Sequence, residues 1–135
     1  MTVVDASVWV SRLVASDVNH SSSRRWLERY EAKGGRLVAP VILLAEISGA
    51  ISRRTNSAWL GRQSLESLLR IRALRLVTVD RRLGEAAARL GADLGLRGAD
   101  ALYVAVAHRL RIPLVTWDRE QQEKASTVIT VELPL

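Results

Sequence analysis

The chain has 135 residues, 48% of them hydrophobic, which is enough for one domain with a real core and argues against disorder. It has no cysteine, so disulfides and thiolate metal sites are excluded. Twenty basic residues against fourteen acidic ones leave a net charge of +6. Eighteen of the twenty are Arg, whose planar fork pairs with phosphate, so the balance suits a polyanionic partner. Arg codon bias and plain solvation of helix faces explain any single Arg equally well.

In chain order, Thr2-Val3-Val4 reads as a short buried strand that ends at Asp5, followed by one or two helical turns from Ser7 to Val14. Asn19 to Lys33 is a helix with Trp26, Leu27 and Tyr30 on one face, stopped by Gly34-Gly35. Arg36 to Ala39 is a second strand. Pro40 is then expected to open a helix running from Val41 to about Arg54, where its missing N–H costs nothing. The buried side of that helix is read as Val41, Leu44, Ala45, Ser48 and Ile51, with Glu46 in its middle.

After a break at Thr55-Asn56-Ser57, a long amphipathic helix is expected from Ala58 to Ala73, with Leu60, Leu65, Leu68, Leu69 and Ile71 as its apolar members. Leu74 to Val79 is a third strand, and Asp80 caps the helix Arg81 to Leu94. The loop Gly95 to Gly98 leads into a helix that carries Asp100 and then the apolar run Ala101 to Ala107. Ile112 to Trp117 is a fourth strand ending at Asp118. A short polar turn or helix precedes a fifth strand, Thr127 to Leu133.

Strands alternate with helices throughout, so the fold expected is one α/β domain over residues 1–135. Its sheet is mainly parallel, of about five strands, with helices on both faces. The longest apolar runs are far too short to cross a bilayer, and Asp5 comes too early for an ordinary signal peptide. A cytoplasmic protein is the expectation.

Four carboxylates stand out by placement. Asp5 and Asp118 each end a strand and so share one edge of a parallel sheet, where ligands bind in such folds. Asp100 starts a helix that must be buried on nearly all sides, and Glu46 interrupts an apolar helix face. Taken singly, the three Asp residues are explained by helix capping and Glu46 by solvation. Asp80 is the control: it also ends a strand, but Arg81-Arg82 and an ordinary amphipathic helix follow it, so capping accounts for it. Asp17, Asp93, Glu28, Glu31, Glu66 and Glu85 sit on polar faces or loops. If the four do converge, their mutual repulsion demands a hard divalent cation, and with only His20 and His108 available Mg²⁺ or Mn²⁺ fits better than zinc.

Val4-Asp5-Ala6-Ser7, Ala45-Glu46-Ile47, Ala99-Asp100-Ala101-Leu102 and Thr116-Trp117-Asp118 are each weak signals, but in this order and spacing they are specific. With them the whole chain resembles the PIN-domain ribonucleases, most closely the VapC-type toxins of toxin–antitoxin pairs. The resemblance implies a PIN-like three-layer fold and a Mg²⁺- or Mn²⁺-dependent endoribonuclease with Asp5, Glu46, Asp100 and Asp118 as its metal site. It implies Ser7 and Thr116 as supporting hydroxyls, a cognate antitoxin that blocks the site, and commonly a homodimer.

Trp117 and Tyr103 are read as packing residues, and His108 as a cation at the end of its helix. Candidate RNA contacts are Arg53 and Arg54, on the helix of Glu46, and Arg119, directly after Asp118; Arg81 and Arg82 follow the control acid. A non-catalytic RNA-binding module stands as the alternative. A phosphoacceptor receiver would need an acidic pair at the first strand end and a Lys at the last, where this chain has single Asp5 and only Lys33 and Lys124. A nucleotide-binding Rossmann domain would need a Gly-rich loop after the first strand.

Overall fold

A computed structural model describes residues 1–135. Its elements run β1 (Thr2–Val4), α1 (Ala6–Leu13), α2 (His20–Ala32), β2 (Leu37–Pro40), α3 (Leu43–Thr55), α4 (Ala58–Leu69), β3 (Leu74–Val77), α5 (Arg81–Leu94), α6 (Gly98–Leu110), β4 (Leu114–Val115), α7 (Arg119–Ala125) and β5 (Val131–Glu132). All strand pairs are parallel, in the order β3-β2-β1-β4-β5. From β1 the chain moves outward through β2 to β3, then returns past β1 to β4 and β5. Right-handed crossovers therefore put α1 to α4 on one face and α5 to α7 on the other, the three layers expected. The order reverses between β1 and β4. That is the switch point at which an open α/β sheet leaves a crevice beyond its carboxyl ends.

The core explains the central position of β1 and α6. Val3 and Val4 are fully buried between the layers, as are Tyr103, Val104 and Ala107 of α6, so this helix lies in the core for most of its length. No helix is long and apolar enough to cross a membrane.

Several boundaries differ from the sequence reading. Pro40 does not open α3; it is the last residue of β2, in register with Val77, and α3 starts at Leu43. Its missing N–H falls on the side facing β1, whose pairing with β2 stops at Val3 and Val38, so no further bond is demanded there. The buried line of α3 is Leu43, Ile47 and Ile51, while Val41 and Ala45 are exposed. α4 ends at Leu69, and its buried face is Gly61, Ser64 and Leu68, with Leu60 and Leu69 outward. Close approach to α3 selects that face: a Cβ on Gly61 would meet the Ser48 carbonyl oxygen at 2.7 Å. The polar stretch after Asp118 is helix α7, and β5 is only Val131–Glu132.

Candidate active site

The carboxyl ends of β1 and β4 are laced together by hydroxyls. Asp5 follows β1, is 5% exposed, and caps α1 by accepting the Ser7 backbone N–H at 3.0 Å. The Thr116 hydroxyl, fully buried just past β4, donates to the same Asp5 oxygen, Oδ2, at 3.1 Å. Thr116 Oγ1 also accepts the Asp118 N–H at 3.0 Å and lies 3.3 Å from Ser7 Oγ. Thr116 has one proton and commits it to Asp5, so Ser7 is the donor in that last bond. Ser7 Oγ in turn accepts the Trp117 N–H at 3.1 Å. Ser7 and Thr116 thus form a brace between Asp5 and Asp118. Trp117 is held from outside the site, its indole N–H donating to Ser23 at 2.7 Å.

Asp118 caps α7 through the Gln121 N–H at 2.9 Å. For Asp5 and Asp118, capping and membership of the cluster coexist. The other two acids cap no helix. Asp100 lies in the first turn of α6, where Arg97 occupies the cap position, and Glu46 is half-buried in the first turn of α3. Asp80 behaves as the control, accepting the Leu83 N–H at 2.9 Å with Arg81 paired to Glu85.

Three of the acids are shifted by burial and by neighbouring charge. Burial pushes the Asp5 carboxyl up, opposed by its bonds to Ser7 and Thr116 and reinforced by the charge of Asp118. The Asp100 carboxyl is pushed up to about 6 by burial and then by Asp5 and Asp118, with Arg97 pulling the other way. Glu46 is raised by burial, Asp5 and Asp100, and lowered by a hydrogen bond from the Tyr103 hydroxyl, which donates to its Oε1 at 2.8 Å. The Tyr103 phenol is itself pushed far up by burial and these charges, so it stays a donor.

The donor set fits a hard cation. All four ligand candidates are oxygens, and each leaves at least one unclaimed by a protein donor: Oδ1 of Asp5, Oε2 of Glu46, Oδ2 of Asp118 and both of Asp100. No three of them converge closely enough to ligate one ion together as they stand.

Of the Arg candidates, Arg53 lines a hollow of about 400 Å³ together with Ser7 and Glu46. Arg54 points elsewhere, 3.1 Å from Asp17, and Arg119 is exposed at the start of α7. Two residues near the acids were not read from the sequence as part of the site. Tyr103 sits three residues after Asp100, hence on the same helix face, which was the available signal. Arg97 is the cation whose charge reaches Asp100, and a loop Arg carries no periodic signal.

A family model described as the PIN domain matches residues 2–126. Among solved structures the fold is similar to VapC20 of Mycobacterium tuberculosis, a sarcin–ricin-loop-cleaving toxin, with 21% identity, 91% of this chain and 94% of that one covered, and a TM-score of 0.73. It is similar as well to VapBC2 of Rickettsia felis bound to promoter DNA (17% identity, 98% and 97% covered, TM-score 0.74). FitAcB of Neisseria gonorrhoeae gives 17% identity, 99% and 98% covered, and a TM-score of 0.74. No curated protein sequence matches the chain significantly. With the family model spanning nearly its whole length and the acids at the switch point of a five-stranded parallel sheet, the chain belongs to the PIN domain family.

Proposed function

We propose that the protein is a Mg²⁺- or Mn²⁺-dependent endoribonuclease, a toxin of the VapC type that a cognate antitoxin holds inactive. One observation carries this: a buried Asp5 at the switch point, with Glu46, Asp100 and Asp118 close enough to perturb it or one another and each with a free oxygen. Such a cluster is destabilised until a cation neutralises it. Asp5, Asp100, Asp118 and Glu46 would hold that ion, directly or through its waters. When bound, a divalent ion supplies water activation and offsets charge on the leaving oxygen.

The chain's other residues bind and orient. Thr116 and Ser7 fix Asp5 and the start of α7, and Tyr103 fixes Glu46. Arg53, beside Glu46, and Arg119, beside Asp118, are the cations placed to hold RNA phosphates; Arg54 is a weaker candidate because Asp17 engages it.

An antitoxin partner is supported by the similarity to a toxin–antitoxin complex from Klebsiella pneumoniae and by exposed apolar surface. A hollow of about 460 Å³ lined by Leu13, Val14, Ile51 and Leu60 is one such surface, and Trp59 is 61% exposed. A second apolar hollow, about 610 Å³ between α5 and α6, supports a homodimer. A cytoplasmic location belongs to the same reading. The test is incubation of the purified chain with RNA and Mg²⁺ or Mn²⁺, with and without chelator. Cleavage lost to the chelator is expected. RNA bound but never cut would overturn the enzyme and leave the binding module.

A further inference from the structure

A polar hollow of about 500 Å³ lies at the other end of the sheet, where α6 ends and β4 and β5 begin. Its only polar side chains are those of His108, Arg111 and Thr130, over a floor that includes Ile112, Pro113 and Ile129. No carboxylate lines it, and neither His108 nor Arg111 forms an ion pair.

The backbone gives an independent sign. Arg111 follows α6 with φ of 54°, in the left-handed region. Glycine or asparagine takes that place at least cost. Asn56, the other non-glycine residue with positive φ, is of the expected type, whereas Arg111 keeps a guanidinium where the backbone disfavours it. Stored strain of this kind marks functional positions.

The negative end of the α6 dipole accounts for some cationic character here. It does not account for Arg36, just before β2, or Arg72, before β3. The Arg36 carbonyl accepts the Thr2 N–H at 3.1 Å and the Pro113 carbonyl accepts the Val3 N–H at 2.8 Å, so β2, β1 and β4 start level. Arg36 is then two strand spacings from the hollow, on the order of 10 Å. Arg36, Arg72 and Arg109 are exposed, and none is ion-paired.

We propose that this hollow is a phosphate subsite for RNA, remote from the acids: the Arg111 fork and the Thr130 hydroxyl hold one phosphodiester, and Arg36 and Arg109 attract its neighbours. The identity of the polyanion rests on the ribonuclease reading. A free nucleotide would fill the hollow and leave Arg36 and Arg72 without a role; an extended strand uses the row. From Pro113 to Asp118 is about 17 Å of extended chain, a distance that one RNA strand spans.

Arg111→Gly is the discriminating variant, since it removes the guanidinium and relieves the left-handed strain together. Binding of labelled single-stranded RNA is measured in an Asp5→Asn background at several salt concentrations. The dissociation constant should rise about tenfold and the salt slope should fall by about 0.7, with a melting temperature equal to or above that of the parent. Arg111→Lys should recover most of the affinity, and Thr130→Val, which keeps its shape, should weaken binding less than Arg111→Gly. In the active chain, Arg111→Gly should raise KM for RNA and leave kcat unchanged. Unchanged affinity and slope in Arg111→Gly, while Arg53→Ala weakens binding, overturns the subsite and leaves the ribonuclease reading standing. A loss confined to duplex DNA overturns it as well. No RNA binding by the Asp5→Asn parent overturns both.

Discussion

At the carboxyl ends of the strands Asp5, Asp80 and Asp118 each cap a helix, whereas before the amino ends Lys33, Arg70 and Arg111 each stand just after one. A parallel sheet with helical crossovers starts the helix after each strand at one edge and ends the helix before the next strand at the other. The macrodipoles then favour acids on the first and bases on the second. Separation of charge across this molecule is therefore partly architecture. What exceeds architecture is local: Asp5 and Asp118 are joined by Asp100 and Glu46, which cap nothing, while Asp80 stands apart from them.

The widest gap between the two kinds of edge acid should be in cleavage. Asp100→Asn removes a ligand charge and little volume, and should cut the rate of RNA cleavage by roughly 10³-fold or more. Asp80→Asn keeps a good cap and should leave the rate within about twofold. A folded Asp100→Asn chain that cleaves at the parent rate removes Asp100 from the site.

Next comes the clamp on Glu46. Tyr103→Phe deletes the bond that orients Glu46 and opposes the rise of its carboxyl. Mn²⁺ affinity should fall about tenfold, seen as a smaller Mn²⁺-induced rise in melting temperature. An unaltered Mn²⁺ titration would take Glu46 out of the ion's surroundings.

Stability of the metal-free chain separates the same acids with opposite sign. Asp100 holds its proton more tightly folded than unfolded, so the stability present near pH 4 is lost as pH rises through about 6. Asp100→Asn should shrink that fall, of which Asp5 and Glu46 keep a share, and be more stable than the parent at pH 7, by about 1 kcal/mol after allowing for its half-exposed position. Asp80→Ala should instead be less stable by about 1 kcal/mol, through loss of its cap. Urea unfolding at pH 4 and pH 7 reads both, and a pH-independent Asp100→Asn effect would break the argument from charge clustering.

The smallest contrast lies between neighbouring Arg residues. Arg53→Ala should weaken RNA binding and lower the salt slope by about 0.7. Arg54→Ala breaks only a surface pair with Asp17, and should move stability by less than about 1 kcal/mol with little change in binding. Equal losses of affinity would mean that the charge acts as a diffuse field.

The sequence made the strand-end acids and the buried α6 helix legible because alternation and uninterrupted apolar runs speak directly of burial. The faces of α3 and α4 were not legible. α3 is apolar or small around most of its girth, so several lines fit it, and tertiary packing settled on Leu43, Ile47 and Ile51. On α4 the contact is made by Gly61 and Ser64, where helices approach backbone to backbone, while larger Leu residues face out; hydrophobicity points to the wrong side. Pro40 was misplaced because its tolerance inside β2 depends on where β1 stops pairing, a fact of register. Tyr103 was readable as buried, but its partner lies 57 residues earlier, and no local pattern reports that.

The bond from Thr116 to Asp5 closes a span of 111 residues around a strand that lies at the centre of the sheet. At typical synthesis rates of about 5–20 residues per second, Asp5 waits roughly 6–20 s before its brace has been made. β1 cannot acquire its β4 neighbour, nor Asp5 and Asp118 their common edge, until almost all of the chain exists. Assembly of the acidic crevice is thus a late event in the life of each molecule, and a chain interrupted anywhere before residue 116 lacks it.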